Sequence, residues 1–585
     1  MFDANFECGN LEKVIARSQT EYDIYTSSDT NSPGRFQWFY FRVTNGVQGE
    51  TVKFNVMNMT KNLHFQRLGM SPCVFSEQGY SKIYLSWTNK TESITLTKLP
   101  NIRPELMDAR TIYIPHTDII ADKSNKERKV YKLSFKYTFK YNNDVVYFAL
   151  HKPFCYSRMK TYIERLETKL HPGVIVKKIL RKQTLKKRKR VKPKLVVEIN
   201  KEGILYRREV ISYSLGNIPI EIITITSNEV EEVVAKEKTY IIITARVHAA
   251  ETPGSYKVQG ILAFLTSANP IAKKLRHDHV FLIAPMLNPD GVIMGNNRCS
   301  LAGADLNRCW GTPHPKLNPE LFKLKKYLFE LYIKKKQILI YCDLHGHSRL
   351  LNSFMYACHK ETGTLCSWTQ LRLLPRLLAK ETHILDFNQC SFHVTTDKAS
   401  TGRAIIWKEL KVVNSFTLET SLYAFKVGSN ISHFNERDYI LVSEALMRAI
   451  KEYNEILPGI HKEYLLEEWL KPCNLFELAG IPAAKALRRE IEMSKEQERK
   501  KRLREKYMEK NKTRAISSIG CCRTTENSIN AQQLTHKNFY LLRTKDRRSV
   551  TSSIINKITR ESSVSNKRRK LGPLIKPKLN NPWGY

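Results

Sequence analysis

The chain has 585 residues, a formal net charge of +40 and 42% hydrophobic residues. This length and apolar content exceed what one compact core needs, so we expect two domains with appended segments. The charge is concentrated in two places: residues 171–200 carry 11 Lys or Arg against 1 acidic residue, and residues 481–585 carry 27 against 9. Such segments are solvated or attracted loosely to acidic surfaces. Nucleic acid is not the expected partner.

Targeting and membrane segments are not expected. The first residues, MFDANFECGNLEKV, carry acidic side chains and lack the apolar stretch of a signal peptide. No apolar run approaches the ~18–20 residues of a membrane span. The 12 cysteines follow no regular spacing, which is typical of reduced thiols in the cytosol.

Residues 1 to about 150 show the pattern of short β-strands. Apolar and aromatic residues alternate or run together in the stretches 36–45, 51–60, 82–88, 131–139 and 144–150. Turn residues such as NSPG separate them, and few stretches have helical periodicity. The pattern predicts a small all-β sandwich domain over residues 1–156.

From about residue 205, strands alternate with amphipathic helices such as GSYKVQGILAFLTSA and ELFKLKKYLFELYIKKK. The predicted strands cover 219–227, 239–247, 280–287 and 337–346. This alternation predicts an α/β domain, assigned to residues 157–475, with a mixed, largely parallel sheet and flanking helices. We interpret the Lys-rich stretch at about 178–200 as an insert in it. Residues 476–585, where apolar periodicity fades, are interpreted as a basic, mostly disordered tail.

Polar residues follow two of the predicted central strands. His248 and Glu251 come after TYIIITARV, and DLHGHS supplies His345 at the end of another strand. Sheets of this kind carry their chemistry in loops at the carboxyl ends of strands. Two imidazoles and one carboxylate make a common three-ligand catalytic zinc site. His347 is the alternative ligand in DLHGHS, and Asp343 or a backbone carbonyl is the candidate that orients His345.

Further polar residues lie between and after these loops. Arg298 and the pair Asn307 and Arg308 fall within the stretch 284–310. Guanidinium groups bind carboxylates bidentately, so these residues suit a ligand that ends in a carboxylate. Glu419 ends the apolar stretch in SFTLETS. A carboxylate there more often caps or forms an ion pair, but beside zinc it would be a natural general base.

This set of motifs resembles the M14 zinc carboxypeptidases and, within them, the cytosolic carboxypeptidases, the tubulin-deglutamylase branch. The resemblance rests on ARVHAAETPGS, NPDGV, NNRCSLAGADLNR, DLHGHSR, STGRAIIW and FTLETS, and on FDANFECGNLEKV, WFYFRVTN and MSPCV in the N-terminal region. It covers about residues 1–160 and 205–470. The short N-terminal region looks closest to type six, with type five as the near alternative. Ala249 and Ala250 stand where the family usually has Pro-Gly.

The resemblance implies one zinc ion per chain, bound by His248, Glu251 and His345. It implies that Arg298 polarises the scissile carbonyl. Glu419 would take a proton from the attacking water and later deliver it to the leaving amine.

The resemblance also implies an acidic substrate. Asn307 and Arg308 would hold its terminal carboxylate, and Arg403, in STGRA, would pair with an acidic side chain. The implied activity is removal of C-terminal or side-chain glutamates from polyglutamylated tubulin or other acidic protein tails, in the cytoplasm and near microtubules, cilia or basal bodies. Two alternatives stay open: a catalytically silent basic scaffold that binds microtubules, and a zinc amidohydrolase of the aspartoacylase kind.

Overall fold

The computed structural model describes residues 1–60, 64–83, 88, 91–98, 130–170, 197–199, 203–228, 238–359, 365–457, 496, 499–500 and 503. Its contacts divide the chain into two units, Met1–Glu477 and Leu478–Tyr585. The predicted Lys-rich insert lies outside the described residues except at 197–199, and the predicted tail lies outside them except at four positions. The insert, the tail and the domain boundaries therefore stay predictions.

The N-terminal region consists of two β-sheets. Its described strands are β1 (Phe2–Asp3), β2 (Lys13–Ala16), β3 (Glu21–Tyr25), β4 (Tyr40–Val43), β5 (Thr51–Met59), β6 (Cys73–Ser76), β7 (Glu92–Lys98), β8 (Tyr131–Thr138) and β9 (Val146–Ala149). Two short helices, α1 (His64–Arg67) and α2 (Glu77–Ile83), lie among them. The strand orders are β1-β4-β9-β6 in one sheet and β2-β3-β5-β8-β7 in the other.

Aromatic side chains join the two sheets face to face. Phe41 and Phe148 come from the first sheet, Phe54 and Phe135 from the second, and all four are fully buried. The ring centroids of Phe54 and Phe148 lie 4.9 Å apart, and those of Phe135 and Phe148 lie 5.8 Å apart. Rings of this size contribute much of the buried apolar area of a small core. The predicted β-sandwich is confirmed.

One predicted strand is wrong at its start. Residues 82–83, expected to begin a strand, end helix α2. The first turn of this helix is capped by two side chains: Asp144, distant in sequence, accepts a hydrogen bond from the amide of Gln78 (3.0 Å), and the hydroxyl of Ser76, which directly precedes the helix, accepts one from the amide of Gly79 (2.8 Å). Capping of this kind favours a helix where the local apolar pattern favours a strand.

The second part of the first unit is an α/β arrangement. Its strands are β10 (Val197–Ile199), β11 (Ile204–Tyr213), β12 (Pro219–Ser227), β13 (Thr239–Ala245), β14 (His279–Ala284), β15 (Ile338–His347), β16 (Ser353–Tyr356), β17 (Asn414–Ser421), β18 (Ala424–Val427) and β19 (Asn430–His433). Its helices are α3 (Tyr156–Leu170), α4 (Pro253–Leu265), α5 (Pro270–Asp278), α6 (Pro289–Ile293), α7 (Pro319–Ile333), α8 (Leu365–Glu381), α9 (Gly402–Leu410) and α10 (Glu436–Ile456). Short 3-10 turns occur at Leu306–Arg308, Phe387–Gln389 and Thr396–Lys398.

In the part of the chain that the structure describes, the central sheet has eight strands, in the order β10-β11-β12-β14-β13-β15-β17-β16. β13 pairs in parallel with β14 and β15, and β15 pairs in parallel with β17. The other neighbours pair antiparallel. The predicted mixed sheet is confirmed, but it is not largely parallel: its parallel part is confined to β14, β13, β15 and β17.

Burial on both faces explains the continuous apolar runs of these strands. Ile241 and Ile243 of β13 belong to a core that includes Leu262 of α4. Ile242, which points to the opposite face, belongs to a second core that includes Leu324 of α7. Because β13, β15 and β17 are parallel, their carboxyl ends meet at one edge of the sheet. No helix in the described ranges is long and apolar enough to cross a membrane.

Candidate metal and substrate site

A sharp turn after β13 presents His248 and Glu251. Arg246 adopts a left-handed backbone conformation (φ 56°) at this turn. Its buried guanidinium donates to the Ala249 carbonyl from Nε (3.1 Å) and Nη2 (2.6 Å), and to the Ser255 hydroxyl at the start of α4 (2.9 Å). Arg246 thus fixes the backbone of the loop at the Ala-Ala step where the family usually has Pro-Gly.

Three side chains converge at the edge of the sheet. Nδ1 of His248 lies 2.8 Å from one carboxylate oxygen of Glu251, and Nδ1 of His345 lies 2.9 Å from the other. The ligand atoms of the three residues all lie within 4.8 Å of one another. The outer nitrogens are held by other carboxylates: Nε2 of His248 lies 3.1 Å from Asp305, and Nε2 of His345 lies 2.8 Å from Asp343. Metal-ligating histidines are oriented in this way.

The electrostatics of the cluster favour a cation at its centre. Burial disfavours a charged Glu251, yet His248 and His345 hold its pKa well below the usual value. Burial also disfavours a charged His345, yet Asp343 and Glu251 hold the pKa of its imidazole well above the usual value. A divalent cation would supply the positive charge that these carboxylates attract. Two imidazoles and one carboxylate fit Zn²⁺.

His347, the alternative ligand, points elsewhere. Its Nδ1 accepts hydrogen bonds from the amides of Arg349 (3.3 Å) and Leu350 (2.9 Å). Its ring packs against Phe354, with centroids 5.0 Å apart. Among the described residues, the converging group at this edge contains His345 and not His347.

Glu419 stands beside this cluster on the neighbouring strand. Its Oε2 atom is buried and has no hydrogen-bond partner among the described residues. Burial raises the pKa of Glu419 to about 7, and the negative charge of Glu251 adds to the shift. A carboxyl group with a pKa near neutrality and a free oxygen suits proton transfer.

A buried lysine that the sequence reasoning missed connects the elements of the site. The Lys257 ammonium, on α4, donates to the carbonyls of His345 (3.2 Å) and Leu418 (3.0 Å) and to the Thr420 hydroxyl (2.9 Å). It thereby ties α4, which follows Glu251, to the ends of β15 and β17. The only signal in the sequence is a lysine within a helical stretch, PGSYKVQGILAFL, whose other residues are mostly apolar.

A second missed residue is Asp305. One of its carboxylate oxygens lies 3.1 Å from Nε2 of His248, and the other accepts a hydrogen bond from Nε of Arg298 at 2.6 Å. The first oxygen also accepts the amide of Asn307 (3.0 Å). Asp305 thus joins a predicted metal ligand to a predicted catalytic residue, Arg298, and a predicted substrate-binding residue, Asn307. Its position just before the Leu-Asn-Arg motif is the only signal in the sequence.

Asn307, Arg308 and Arg403 lie side by side and form what we call the polar wall of the site. The side-chain oxygen of Asn307 accepts the amide of Gly402 at the start of α9 (3.0 Å), which places Arg403 next to the Asn-Arg turn. Arg308 donates to the Asn307 carbonyl (3.0 Å). Arg403 is 5% exposed, and its guanidinium lies 5.4 Å from the centre of the Tyr356 ring. Its Nε has no hydrogen-bond partner, and no carboxylate pairs with it, in the part of the chain that the structure describes.

These groups share one cavity of about 460 Å³. It is lined by all the residues predicted from the sequence to bind metal, catalyse or bind substrate: His248, Glu251, Arg298, Asn307, Arg308, His345, Arg403 and Glu419. Gln37, Phe65 and His151 of the N-terminal region add to its wall. The structure brings the predicted residues together, while their individual roles stay predictions.

Comparison with known families agrees with this geometry. Residues 198–425 match the model of the zinc carboxypeptidase family, and residues 2–103 match the cytosolic carboxypeptidase N-terminal domain. Cytosolic carboxypeptidase 1 of Gallus gallus is 35% identical over 437 residues, which are 72% of this chain and 32% of that protein. Human cytosolic carboxypeptidase 4 is 33% identical over 436 residues, 72% of this chain and 35% of that protein. The chain therefore spans about a third of the length of these curated relatives.

Solved structures share the fold. A metallo-carboxypeptidase from Burkholderia cenocepacia superposes with a TM-score of 0.56 at 17% identity, over 78% of this chain and 98% of that chain. One from Pseudomonas aeruginosa gives a TM-score of 0.54 at 14% identity, over 78% and 100%. The two imidazoles and one carboxylate of the site also suit zinc, the metal in the name of the family. By its two matched domains, the chain belongs to the cytosolic carboxypeptidase family of zinc carboxypeptidases.

Proposed function

We propose that this protein is a zinc metallocarboxypeptidase that removes C-terminal or side-chain glutamates, one at a time, from polyglutamylated proteins, with tubulin as the proposed substrate. The observation that supports an acidic substrate is Arg403: it is a buried guanidinium without a carboxylate partner among the described residues, in the same cavity as His248, Glu251 and His345. A buried cation without an anionic partner is costly, and the carboxylate of an incoming glutamate would supply that partner.

Recognition of the chain end follows from the polar wall. Asn307 and Arg308 offer amide and guanidinium donors to a terminal carboxylate, and Arg403 offers a second cation to its side chain. A substrate with two carboxylates on its last residue would thus meet separate donors at both. Charge-assisted hydrogen bonds of this kind are about twice as strong as neutral ones.

The chemistry divides between the metal and the residues around it. When bound, zinc supplies a Lewis acid that polarises a carbonyl and makes water a better nucleophile. Glu419, with its free carboxylate oxygen, would accept a proton from the attacking water and pass it to the leaving amine. Arg298, held by Asp305, would stabilise the negative charge that develops on the carbonyl oxygen.

The two alternatives are less well supported. A silent scaffold does not need three converging ligands next to a free, buried carboxylate oxygen. A small-molecule amidohydrolase of the aspartoacylase kind does not need the N-terminal region whose residues add to the cavity wall. Assignment to type six, or to type five, stays a prediction. We also propose a cytoplasmic location, in keeping with the name that the curated relatives share. From the proposed tubulin substrate, we propose a position near microtubules, cilia or basal bodies.

One experiment tests this function. The purified protein is incubated with a polyglutamylated tubulin peptide, with and without a chelator, and mass spectrometry follows the loss of single glutamate residues. Metal-dependent loss is expected, and Glu419→Gln is the control for a contaminating protease. Binding without cleavage would favour the scaffold. Hydrolysis of N-acetylaspartate but not of the peptide would favour the amidohydrolase.

A further inference from the structure

The loop that carries Arg298 is held by a carboxylate of the N-terminal sandwich. Asp29 accepts hydrogen bonds from three consecutive backbone amides: Asn297 on Oδ1 (2.6 Å), and Arg298 (2.9 Å) and Cys299 (2.8 Å) on Oδ2. Asp29 is 1% exposed, so water competes little for these bonds. Hydrogen bonds to a charged, buried group are among the stronger ones in proteins. They fix the backbone at residue 298 and hence the direction in which its side chain leaves the loop.

The residues next to Asp29 hold both ends of the same loop. The amide and the hydroxyl of Thr30 each donate to the side-chain oxygen of Asn296 at 3.0 Å. The side-chain amide of Asn31 donates to the carbonyl of Leu301 at 2.8 Å. One turn of the sandwich therefore contacts the loop before, at and after Arg298.

Two glycines show how closely the surfaces fit. Gly295 and Gly303 flank the loop and both have positive φ, 69° and 73°. A Cβ atom at Gly303 would lie 2.1 Å from the carbonyl oxygen of Asn31, and one at Gly295 would lie 2.3 Å from that of Gly9. Only glycine adopts these conformations readily and leaves room for such an approach.

The loop also contacts the metal-binding turn. The Asn297 carbonyl accepts the amide of Ala250, which precedes Glu251, at 2.9 Å. Beyond the backbone, the Arg298 guanidinium is anchored by Asp305 at 2.6 Å. A group that stabilises a transition state must be held within a fraction of an ångström, because small displacements cost large factors in rate.

From these contacts we infer that Asp29 is a positioning residue for Arg298, so that the N-terminal sandwich completes the active site. The inference rests on the proposed carboxypeptidase function. Asp29 touches no reacting atom; it acts through the backbone amides on either side of the Arg298 side chain. The sandwich is then part of the catalytic machinery and not a separate binding module attached to it.

The test is a double-mutant cycle in the full chain. Asp29→Asn keeps the shape of the side chain but replaces one acceptor oxygen with a donor that faces the backbone amides. We expect kcat to fall ~10- to 100-fold, which is no more than the ~10²–10³-fold loss expected for Arg298→Ala. KM for a glutamate-ended peptide, inhibition by free glutamate and zinc content should change little. In the Arg298→Ala background, Asp29→Asn should have little further effect, because it acts through the missing side chain.

A matched control is Asp144→Asn, which alters another fully buried carboxylate of the sandwich, one that accepts hydrogen bonds from Ser76 and Gln78 instead of from this loop. It should leave kcat unchanged.

If Asp29→Asn lowers the melting temperature strongly, Asn31→Ala replaces it. This variant should lower kcat by a smaller factor, and it should not lower kcat further in the Arg298→Ala background. An unchanged kcat in these loop variants, or a loss that adds fully to that of Arg298→Ala, overturns the inference. A wild-type protein without peptidase activity overturns the proposed function instead.

Discussion

His345 and Glu419 occupy paired positions in the parallel strands β15 and β17. Side chains at paired positions point to the same face of a sheet, so the metal ligand and the free carboxylate meet without any further loop geometry. The Lys257 ammonium fixes the pair by binding the carbonyl of His345 and two groups next to Glu419, the Leu418 carbonyl and the Thr420 hydroxyl. Sheet register therefore decides which carboxylate stands beside the metal site.

Glu419→Gln should separate metal binding from turnover. The amide preserves the size of the side chain but cannot accept a proton, and loss of a general base costs ~10²–10⁴-fold in rate. Zinc content should remain near one ion per chain, because Glu419 is not in the converging ligand group. Elemental analysis and peptide hydrolysis, measured on the same sample, check this. Near-normal turnover would show that another group accepts the proton.

Single ligand substitutions should cause loss of zinc. His248→Ala and His345→Ala each remove one of three protein ligands, so the metal should be lost or bound far more weakly. His347→Ala is the matched control, since its ring nitrogen binds backbone amides instead. Zinc titration against a chromophoric chelator measures the affinities. Retention of zinc by His345→Ala together with its loss from His347→Ala would reverse the ligand assignment.

Asp305→Asn should weaken the site without removing a ligand. Burial alone would raise the pKa of Asp305, but its contacts with His248 and Arg298 hold that pKa far below the usual value. Loss of such a partner of a ligating histidine typically lowers metal affinity ~10- to 100-fold. Turnover should also fall at saturating zinc, because Arg298 loses its anchor. Asp386→Asn, which alters the cap of the 3-10 turn Phe387–Gln389 and does not line the cavity, is the control. Unchanged zinc affinity in Asp305→Asn would contradict the orienting role.

Arg403→Leu should change specificity. Without the guanidinium, a buried glutamate side chain has no cation to replace its water, and removing one partner of a buried charged pair costs ~3–5 kcal/mol, roughly two to three decades or more in kcat/KM. Peptides that end in Leu or Phe should lose less, or gain. Arg349→Leu, at an exposed position of the same cavity, should alter the Glu-to-Leu preference far less. An unchanged preference in Arg403→Leu would assign side-chain recognition to another cation.

Glu320 should make stability depend on pH. Burial raises the pKa of this carboxyl group, in the first turn of α7, to about 8, from an ordinary value of 4.5. Between these two pH values the folded state keeps a proton that the unfolded state releases. The contribution of Glu320 to the free energy of unfolding is therefore largest below pH 4.5 and is lost as pH rises towards about 8. Glu320→Gln should remove this loss and raise the melting temperature by at least ~2 °C at pH 8, but not at pH 4.5. Equal effects at both pH values would contradict a buried, protonated carboxyl group.

Periodicity and strand ends were enough to predict the mixed sheet and the convergence of His248, Glu251 and His345. The strands β12, β13 and β15 can be recognised in the sequence as continuous apolar runs, because strands that are buried on both faces need hydrophobic residues at successive positions. His248 and Glu251 follow one such strand and His345 ends another, and parallel strands bring their carboxyl ends together. Arg298, Asn307 and Arg403 lie in short sequence motifs that follow one another along the chain. These residues could therefore be predicted as site residues before the structure showed where they lie.

The supporting contacts depend on the tertiary structure. Asp305 binds His248 across 57 residues, and Asp29 binds the Arg298 amide across 269. Asp29 has no local pattern that distinguishes it from a surface residue, and Asp305 has only its position before the Leu-Asn-Arg motif. From its residue type, Lys257 would be predicted to be exposed to solvent, yet it is fully buried. Its ammonium group can be buried because it donates to the carbonyls at the ends of two strands. Sequence patterns report burial and element type, whereas a hydrogen-bond partner distant in sequence is decided only when the chain folds.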